Sequence, residues 1–474
     1  MPVATFRKPL ILIVGLLCLA LVAAPAGAQK KKKKGEARPK KAAAAKVEVE
    51  YPPKLPDGKL IVTDTSPDFL KATTELKPGV TIAKSPPTVD FMYYPGQTYE
   101  AKPWSNWGDS CVAENGKYYS AFGDHLAVGA KGDGANGTGT AFVFEYDPQT
   151  KALREICNTS KVLNMPEGHY TPGKIHTRVD VGSDGNVYFA THRGSPKAAN
   201  DANHYKGDWI FRCNPKTGKT DIVVQAPVAK HSIPNGMLDP ERLIYYGGTA
   251  AGPDAKDQEI WFFAYDCKNN KLLYSGPGGP ARYMMLAKST GRVYYVPGKE
   301  DSPLMRFDPA VGGGPVEVKG VQIGIRSATE ETPQGFIYTV SLGQGNPDAE
   351  IWSFNTKTEE SKKIGIAAVG SQGYIASLDA DPTGRYLYYN AGAHGSSDRD
   401  GTPIVQFDLE TGKKKVIAFL TPFYQKYGLI LKGTYGSAID PKGEKLFITW
   451  NVSRNTKNWD SCGMTVIHIP ESER

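Results

Sequence analysis

The feature that most constrains the fold is a hairpin with an aromatic second strand, which recurs seven times along the chain. Each hairpin leads through a loop of variable length to a third strand, which ends in a polar turn such as FEYDPQTK (144–151) or QFDLETGK (406–413). A unit of four short strands cannot bury both of its faces alone, so such units must stack on one another. The repeat therefore predicts an all-β fold, a seven-bladed β-propeller of four-stranded antiparallel blades. The second strands are KYYSAFGDH (117–125), NVYFATHRG (186–194), RLIYYGGTA (242–250), RVYYVPGKE (292–300), FIYTVSLGQ (336–344), YLYYNAGAH (386–394) and KLFITWNVS (445–453).

The last repeat unit contains only three strands of its own, at 435–440, 445–451 and 465–470. A strand from the N-terminal region would complete this blade, close the ring and remove an exposed sheet edge. We expect that strand near 60–63 or near 80–85. A β-sandwich is the structural alternative, but it would not repeat one four-stranded unit seven times.

The N-terminal residues have the pattern of a secretory signal. Arg7 and Lys8 precede the apolar run 10–24, and small residues stand at Ala26 and Ala28. The run is short for a transmembrane helix, and no later run of about 18 apolar residues follows, so the sequence predicts no transmembrane span. We therefore expect export to the periplasm or the cell exterior after cleavage near Ala28. The predicted segments are a signal peptide (1–28), a Lys/Ala-rich disordered segment (29–50), an N-terminal extension with the closing strand (51–106) and the propeller (107–474).

The positive charge of the chain is concentrated at its N-terminus. Arg7 and Lys8 contribute +2, and the segment 30–46 contributes +8 through eight lysines, one arginine and one glutamate. The total of +8 therefore leaves the remaining body near −2, which gives no reason to expect a nucleic-acid partner. The basic segment has two open interpretations, a solvated spacer or a tether to an anionic surface.

The cysteines do not form a metal or redox motif. No CxxC pair occurs, which argues against a thiolate zinc site or thioredoxin-type chemistry. Cys111 and Cys462 lie in similar fragments, NWGDSC and NWDSC, of the first and last predicted blades. Because those blades become neighbours when the ring closes, a disulfide between the two is a hypothesis for an exported protein.

Two histidines flank a turn in the second repeat unit. In KIHTRVDVGSDGNVYFATH (174–192), His176 and His192 each lie eight residues from Asp184 in the turn. Residues equidistant from a hairpin turn oppose one another, so we predict that the two imidazoles face each other at the end of the hairpin remote from the turn. A buried, purely structural pair is the alternative interpretation.

Other candidates are predicted to lie on the same face of the propeller as this pair. All histidines except His468 fall in strand ends or connections that belong to that face. Arginine clamps a carboxylate with paired N–H donors, and histidine and tyrosine transfer protons near neutral pH when their pKa values are tuned. This mixture predicts an anionic, hydroxyl-rich ligand such as an acidic sugar chain. The candidate substrate-binding residues are His125, Arg193, His204, His231 and Arg282.

Imidazoles on neighbouring strands could also hold a divalent metal such as zinc, manganese or calcium. If a metal is present, the candidate ligands are His125, His176 and His192. No HExxH motif or tight ligand spacing supports such a site, so a metal stays an open alternative.

The motifs FGDH (122–125), KIHTR (174–178), ATHRG (190–194) and YYGG (245–248), set in this repeat, resemble those of secreted bacterial β-propeller polysaccharide lyases. The ulvan lyases and oligogalacturonate lyases are the families concerned, and the likeness spans roughly residues 90–470 at the level of architecture. Those families break acidic glycans by β-elimination, with His or Tyr as base and acid and with Arg or His neutralising the uronate. The oligogalacturonate group adds a metal held by histidine.

The resemblance implies roles for individual residues. His176 or His192 would remove the proton, Tyr246 would protonate the leaving oxygen, and Arg193 with His125 would neutralise the carboxylate. The expected function is an exported, carbohydrate-active lyase whose partner is an acidic polysaccharide or oligosaccharide. Two alternatives stay open, a non-catalytic propeller that binds glycan or protein and a metal-dependent propeller lactonase or hydrolase.

Overall fold

The computed structural model describes residues 48–126, 139–298, 302–342, 348–456 and 458–474. The predicted signal peptide and most of the Lys/Ala-rich segment lie outside these ranges. Seven antiparallel sheets follow one another along the chain and form the blades of a propeller, which confirms the predicted fold. Among the described residues, no helix has the length and apolar character needed to cross a membrane.

Blades 1 to 5 each take their strands from one continuous stretch of chain, whereas the sheets of blades 6 and 7 also include strands from the N-terminal region. Blade 1 contains Cys111–Val112, Tyr118–Gly123, Ala141–Asp147 and Ala152–Asn158, and blade 2 contains Lys174–Ile175, Asp180–Val181, Val187–His192, Trp209–Cys213 and Thr220–Gln225. Blade 3 contains His231–Asp239, Ile244–Ala251, Trp261–Asp266 and Lys271–Pro277, and blade 4 contains Pro280–Ala287, Arg292–Pro297, Met305–Phe307 and Val316–Glu317. Blade 5 contains Ser327–Ala328, Phe336–Val340, Glu350–Asn355 and Glu360–Ile366, and blade 6 contains Leu378–Ala380, Tyr386–Asn390, Pro403–Asp408 and Lys414–Phe419. Blade 7 contains Ile430–Ile439, Lys445–Ser453 and Ser461–His468.

An N-terminal strand supplies the fourth strand of blade 7. Thr88–Tyr93 pairs antiparallel with Ser461–His468, and Val62–Asp64 pairs with Thr88–Tyr93 as a fifth strand. The two segments expected to fill this position are used differently. The segment near 60–63 overlaps the fifth strand, whereas Thr81–Ile82 pairs in parallel with the outer strand of blade 6.

In the part of the chain that the structure describes, helices occupy only short connections. The α-helices are Thr159–Leu163 and Pro422–Tyr427, and the 3-10 helices are Pro56–Gly58, Pro67–Leu70, Pro196–Ala198, Asp201–Asn203, Ser397–Asp400 and Glu471–Glu473.

The repeated polar turns share one hydrogen-bonding scheme. In blade 1, Oδ1 of Asp147 accepts hydrogen bonds from the backbone N–H groups of Gln149 and Thr150. Asp408 in blade 6 forms the same contacts with the residues two and three positions later. A side chain that binds the backbone two residues on mimics a backbone turn, which explains why Asp or Asn recurs here. The same contact to the N–H two residues later is made by Asn214, Asp266, Asp308 and Asn355.

The aromatic second strands form the interfaces between blades. Successive side chains of a strand point to opposite faces of the sheet, so adjacent tyrosines serve different interfaces. Tyr245 packs against blade 2, whereas Tyr246 packs against blade 4. A cluster of buried side chains of this kind lies between each pair of neighbouring blades, including blades 7 and 1. This arrangement buries both faces of every blade, which is the main stabilising effect of stacking.

The disulfide considered between Cys111 and Cys462 is not formed in the structure. Cys111 packs between blades 1 and 2, whereas Cys462 packs between blades 7 and 1. The five cysteines of the described residues are all free and buried. The two similar fragments therefore place their thiols on different faces of blade 1, where they contribute to the hydrophobic core.

Candidate functional site

Residues in the first strand of a blade, or in the segment just before it, line a narrow cavity where the seven blades converge. Its volume of about 20 Å³ suits a water molecule, so a sugar ring could bind only at its opening. The lining residues are Trp107, Asp109, His176, Arg178, Asn235, Gly236, Met237, Arg282, Tyr283, Met284, Arg326, Ala376 and Tyr435.

Trp107 is the centre of a cluster of basic and aromatic side chains at this cavity. Its ring stacks on the imidazoles of His125 and His176, with centroid distances of 5.8 and 6.0 Å. The edge of His394 meets the same ring at 5.4 Å, and Nζ of Lys174 lies 4.2 Å from its centroid. We call this group the Trp107 cluster, and its members are Trp107, His125, Lys174, His176, His192, His394 and Tyr435.

The pairing within blade 2 differs from the prediction in a way that brings Lys174 into the cluster. Near the turn, Val187 pairs with Val181, as equal spacing requires. Farther from the turn the register moves by two residues, so that His192 pairs with Lys174 instead of His176. Because the shift is two residues, the side chains keep their face, and the rings of His176 and His192 still lie 5.6 Å apart.

The register shift has a local cause at residues 177–179. The hydroxyl of Thr177 donates to the carbonyl of Ala190 and accepts from its N–H, both at 3.0 Å, so the side chain replaces a backbone ladder contact. The backbone N–H of Arg178 donates to Gly236 in blade 3, and that of Val179 donates to Asp109 beside blade 1. At residues 178 and 179, the first strand of blade 2 therefore forms backbone hydrogen bonds with blade 3 and with Asp109 instead of with the second strand of its own blade.

Hydrogen bonds identify the tautomers of the two paired histidines. Nδ1 of His176 lies 2.5 Å from the carbonyl oxygen of Pro234, which can only accept, so Nδ1 carries the proton. Nδ1 of His192 lies 3.0 Å from the hydroxyl of Ser232, which donates its own proton to the carbonyl of Ala250. In both neutral imidazoles Nε2 therefore has the free lone pair that a base requires.

Close backbone packing places His125 against blade 2. A side chain on Gly194 would approach Cα of His125 to 2.9 Å, and one on Gly173 would approach its backbone nitrogen to 3.2 Å. The backbone of His125 has a positive φ of 56°, a conformation that costs free energy for a non-glycine residue. Its Nε2 lies 3.1 Å from the hydroxyl of Ser105. The structure thus brings His125 to His176 and His192, as expected from the sequence.

Three arginines beside the cluster, Arg193, Arg282 and Arg326, form no ion pair within the described residues. Arg282 is exposed at the cavity and forms no ion pair or hydrogen bond within the described residues. Arg326 is only 5% exposed, yet within the described residues its guanidinium forms one hydrogen bond, from Nε to the hydroxyl of Tyr374 at 2.6 Å. Nη1 of Arg193 donates to the carbonyl of Ala251 at 2.6 Å. A buried guanidinium without a carboxylate is costly, so this arrangement favours an anionic ligand.

Burial and these cations shift the titration of the basic groups. Burial, with Arg193 and Arg282 nearby, lowers the pKa of Lys174 to about 7. Burial also lowers the pKa values of His125, His176 and His192 well below their usual range, and the Lys174 cation is the next cause for each. At neutral pH these imidazoles are therefore uncharged.

Tyr435 is a buried tyrosine that lines the cavity and packs against the Trp107 ring. Its ring centroid lies 4.8 Å from that of Trp107, and its hydroxyl is hydrogen-bonded to Nδ1 of His394. Burial, as the largest cause, raises the pKa of Tyr435, so this phenol is protonated at neutral pH. The guanidinium of Arg326 lies 5.4 Å from the ring centroid of Tyr435. Tyr435 can therefore act as a proton donor.

Three of the residues singled out in the sequence lie apart from the cluster. Tyr246 is fully buried in the core, and its hydroxyl donates to the carbonyl of Gly291 at 3.0 Å. His204 is exposed and stacks on His169, with ring centroids 4.0 Å apart. His231 is buried, and its Nδ1 bonds to the hydroxyl of Thr249 at 2.8 Å. The expected acid Tyr246 therefore has no route to a substrate at the cavity.

The donor set does not fit the metal site considered from the sequence. No three His, Cys, Asp or Glu side chains among the described residues are arranged to hold a metal ion. The nearby carboxyl group of Asp124 is occupied by the hydroxyl of Tyr99 and the backbone N–H groups of Leu126 and Thr140. The groups beside the three imidazoles are cations, which disfavour a divalent ion.

A second layer of polar residues lies beneath the cluster. The carboxylate of Asp109 accepts hydrogen bonds from Tyr283 at 2.6 Å and from Ser377 at 3.0 Å. Ser377 lies 2.7 Å from Ser437, which in turn is hydrogen-bonded to Asp379. Each of the three contacts, Asp109–Ser377, Ser377–Ser437 and Ser437–Asp379, needs one hydrogen-bonding proton. The two serine hydroxyls supply only two protons, so the third belongs to a carboxyl group. Burial raises the pKa of both carboxyl groups, and repulsion by Asp109 helps to raise that of Asp379 to about 8, which favours Asp379 as the protonated one.

Sequence reasoning missed Lys174, Trp107 and Tyr435. A signal for Lys174 existed, because residues i and i+2 of a strand share a face and Lys174 stands two positions before His176. Trp107 precedes the first strand of blade 1 and carries no spacing signal, and Tyr435 resembles any other core aromatic. Only the closure of the ring brings these two together.

Comparison with known proteins identifies the same architecture elsewhere. Neither a protein-family model nor a curated protein sequence matches the chain. A crystal structure of oligogalacturonate lyase from Vibrio parahaemolyticus matches with a TM-score of 0.52 at 10% identity, over 85% of this chain and 98% of that chain. An oligogalacturonate lyase in complex with manganese matches with a TM-score of 0.51 at 11% identity, over 85% of this chain and 97% of that chain. At these identities the likeness establishes the fold, and the chain shares its propeller architecture with oligogalacturonate lyase.

Proposed function

We propose that the Trp107 cluster binds an acidic, uronate-containing oligosaccharide or polysaccharide and cleaves it by β-elimination. The observation that carries the proposal is a set of three cations that form no ion pair within the described residues: Arg282 and Arg326 line the cavity, and Lys174 lies over the Trp107 ring beside it. A substrate carboxylate would supply the missing charge. The proposal includes export of the protein, which rests on the signal-like pattern of residues 1–28.

The first role of the cations is to make a weak carbon acid more acidic. Arg282, exposed at the cavity, would pair with the uronate carboxylate, and Arg193 would add positive charge beside His192. Positive charge at the carboxylate stabilises the anion that develops when the neighbouring C–H bond breaks. Donors held in place before the reaction stabilise this charge without further rearrangement.

The base is Nε2 of His176 or His192. It removes the proton from the carbon next to the carboxylate, the electron pair forms the new C=C bond, and the glycosidic C–O bond breaks. Binding a carboxylate beside Lys174 also offsets the cation that lowers the pKa of both imidazoles. The substrate would thereby raise the basicity of the group that attacks it.

The acid is Tyr435, in place of the expected Tyr246. Its hydroxyl would give a proton to the departing glycosidic oxygen, and His394, hydrogen-bonded to that hydroxyl, would return a proton from solvent. We assign no step to a metal ion, because the three imidazoles adjoin cations and lack a carboxylate ligand.

The test is the absorbance of unsaturated products when the purified protein is mixed with a panel of uronate glycans. We expect activity in the wild type that survives a chelator, and its loss in His192→Ala and Tyr435→Phe. Unchanged turnover in His192→Ala would leave His176 as the base. Binding without cleavage in the whole panel would instead support a non-catalytic glycan-binding propeller, and loss of activity with the chelator would support a metal-dependent enzyme.

A further inference from the structure

Arg326 is the most buried of the three arginines that line the cavity. Its Nε donates to the hydroxyl of Tyr374, and its backbone N–H donates to the carbonyl of Val340 at 2.7 Å. Nη1 and Nη2 form no hydrogen bond or ion pair with any residue that the structure describes, yet neither atom is sealed from open space. A buried guanidinium therefore presents its charge and its free N–H groups to the cavity.

The aromatic neighbours of Arg326 hold its guanidinium in place without neutralising it. The guanidinium carbon lies 5.0 Å from the ring centroid of Tyr374 and 5.4 Å from that of Tyr435. An aromatic ring attracts a cation through its quadrupole, but it brings no negative charge of its own. Because buried charges in proteins are normally paired, these contacts leave Arg326 in need of an anionic partner.

The other charged groups of the cavity lining do not supply that partner. Arg178 forms ion pairs with Asp180, at 2.8 Å, and with Glu330. Asp109 is the carboxylate among the lining residues, and it accepts hydrogen bonds from two hydroxyl groups and lies beside Arg178. Arg282 and Arg326 are thus the two lining cations whose charge no carboxylate of the described residues balances.

The size of the cavity decides which anion can reach Arg326. A volume of about 20 Å³ admits one species of roughly the size of water. The carboxylate of a uronate is attached to a sugar ring, which this volume excludes, so an acidic sugar is limited to the opening, where Arg282 is exposed. A monatomic anion is the charged species that a space of this size accommodates.

The rest of the lining also suits such an anion. Nδ2 of Asn235 donates one proton to the carbonyl of Pro280 at 3.3 Å, and its second N–H has no acceptor within the described parts of the chain. Met237, Met284 and Ala376 add apolar surface. Attraction between opposite charges is stronger in surroundings of low polarity, so the apolar side chains strengthen the hold of Arg326 on an anion.

We propose that the cavity binds a single halide ion, chloride under ordinary conditions, through the guanidinium of Arg326 and the free N–H of Asn235. The ion balances the charge of Arg326 and stabilises the folded ring, because a ligand that binds only the folded state raises the free energy of unfolding. The inference goes beyond the proposed elimination and does not depend on it, since the halide is an inorganic ion held more deeply than a sugar can reach.

The test measures how chloride changes the stability of the full-length protein. Urea unfolding is followed at constant ionic strength while sodium chloride replaces sodium methanesulfonate, whose anion is too large for the cavity. We expect the unfolding equilibrium constant of the wild type to fall by about 10-fold, the effect of a ligand at about ten times its dissociation constant. Bromide should act like chloride, whereas acetate should not. An equal response to acetate would overturn the proposal, because it would indicate a site for carboxylates.

Matched variants assign the response to one arginine. Arg326→Gln should lose the chloride response, whereas Arg399→Gln should keep it, because Arg399 is exposed and forms no ion pair within the described residues. Arg282→Gln should also keep the chloride response while it loses the preference for acidic sugars, so failure of this inference is distinguishable from failure of the proposed function. A chloride response that persists in Arg326→Gln, or that disappears in Arg282→Gln, would overturn the assignment to Arg326.

A direct measurement needs no variant. Bromide scatters X-rays anomalously, so crystals of the wild type grown in sodium bromide should show an anomalous difference peak in the cavity, next to the guanidinium of Arg326. Absence of a peak there at saturating bromide would overturn the proposal, whatever the unfolding experiments show.

Discussion

Lys174 and His192 are cross-strand partners at the end of blade 2 that faces the axial cavity. The pairing places the Lys174 side chain beside an imidazole whose Nδ1–H donates a hydrogen bond to the hydroxyl of Ser232. His192 is thereby kept neutral, with Nε2 as its free lone pair. A cation and a potential base thus share one site without neutralising each other, which suits a substrate that brings its own negative charge.

The first prediction concerns the charge of this pair. Replacing Lys174 by methionine removes the cation that lowers the pKa of His192, while the ring stays buried. We expect the pKa of His192 to rise in Lys174→Met, measured by NMR titration of the imidazole. The control is Lys216→Met, which removes an exposed cation of the same blade and should leave the titration unchanged. An unchanged pKa in Lys174→Met would show that burial alone sets the basicity of His192.

The second prediction separates two tyrosines. Tyr435 has its hydroxyl at the Trp107 cluster, whereas the hydroxyl of Tyr246 lies in the core against Gly291. We expect Tyr435→Phe to lower kcat on a uronate glycan by about 100-fold or more, the typical loss when a general acid is removed. Tyr246→Phe should retain activity and lose only about 0.5–1.5 kcal/mol of unfolding free energy, the usual net value of one hydrogen bond.

Kinetics and urea unfolding of both variants make this comparison, and each variant serves as the control for the other. A large loss of kcat in Tyr246→Phe, with a normal melting curve, would contradict the assignment of the acid to Tyr435.

The third prediction concerns the polar layer beneath the cluster. Burial raises the pKa of Asp379 to about 8, and repulsion by Asp109 adds to the shift, while Ser437 and Arg178 oppose it and Glu330 supports it. An unfolded aspartate has a pKa of about 3.9, so between about pH 4 and about pH 8 the folded protein holds a proton that the unfolded chain releases. The stability from this proton is complete below about pH 4 and is lost as the pH rises to about 8.

Asp379→Asn removes the titrating carboxyl group and keeps the size and shape of the side chain. We expect urea unfolding to show that the variant gains stability relative to the wild type as the pH rises through this range. A difference that stays constant with pH, or that favours the wild type at higher pH, would mean that Asp379 is ionised in the folded protein.

The fourth prediction concerns the thiols. The five described cysteines are free and buried, so a reducing agent should leave the melting temperature unchanged. Thiol titration should find no reaction at these five positions in the folded protein and full reaction at them after unfolding in denaturant. A lower melting temperature under reducing conditions would indicate a disulfide that the structure does not contain.

Much of the fold follows from short-range signals in the sequence. The polar turns bind their own backbone, as Asp147 and Asp408 do, so their repetition marks the end of each third strand. Adjacent aromatic residues in the second strands point to opposite faces of the sheet, which indicates that both faces of each sheet are buried. The closing strand was harder to predict, because 60–63, 80–85 and 88–93 all occur in one N-terminal stretch, and only the pairing of Thr88–Tyr93 with Ser461–His468 distinguishes them.

The site was predictable only in part. Equal spacing from the turn brought His176 and His192 together correctly, but it could not reveal the two-residue shift that makes Lys174 the partner of His192. That shift depends on contacts of residues 177–179 with blade 3 and with Asp109, which are remote in sequence. Tyr245 and Tyr246 show a second limit of the sequence, since strand alternation directs one tyrosine of the pair to each neighbouring interface.

The most direct test of the central claim is equilibrium binding of an oligogalacturonide and of its carboxyl-reduced, neutral counterpart to the wild-type protein and to Arg282→Gln. The account predicts that the wild type binds the acidic form, that it binds the neutral form at least about 10-fold more weakly, and that Arg282→Gln loses most of this preference, because a carboxylate completes the charge of the unpaired cations. Equal affinity of the wild type for both forms would contradict the claim that the Trp107 cluster is a site for acidic sugars.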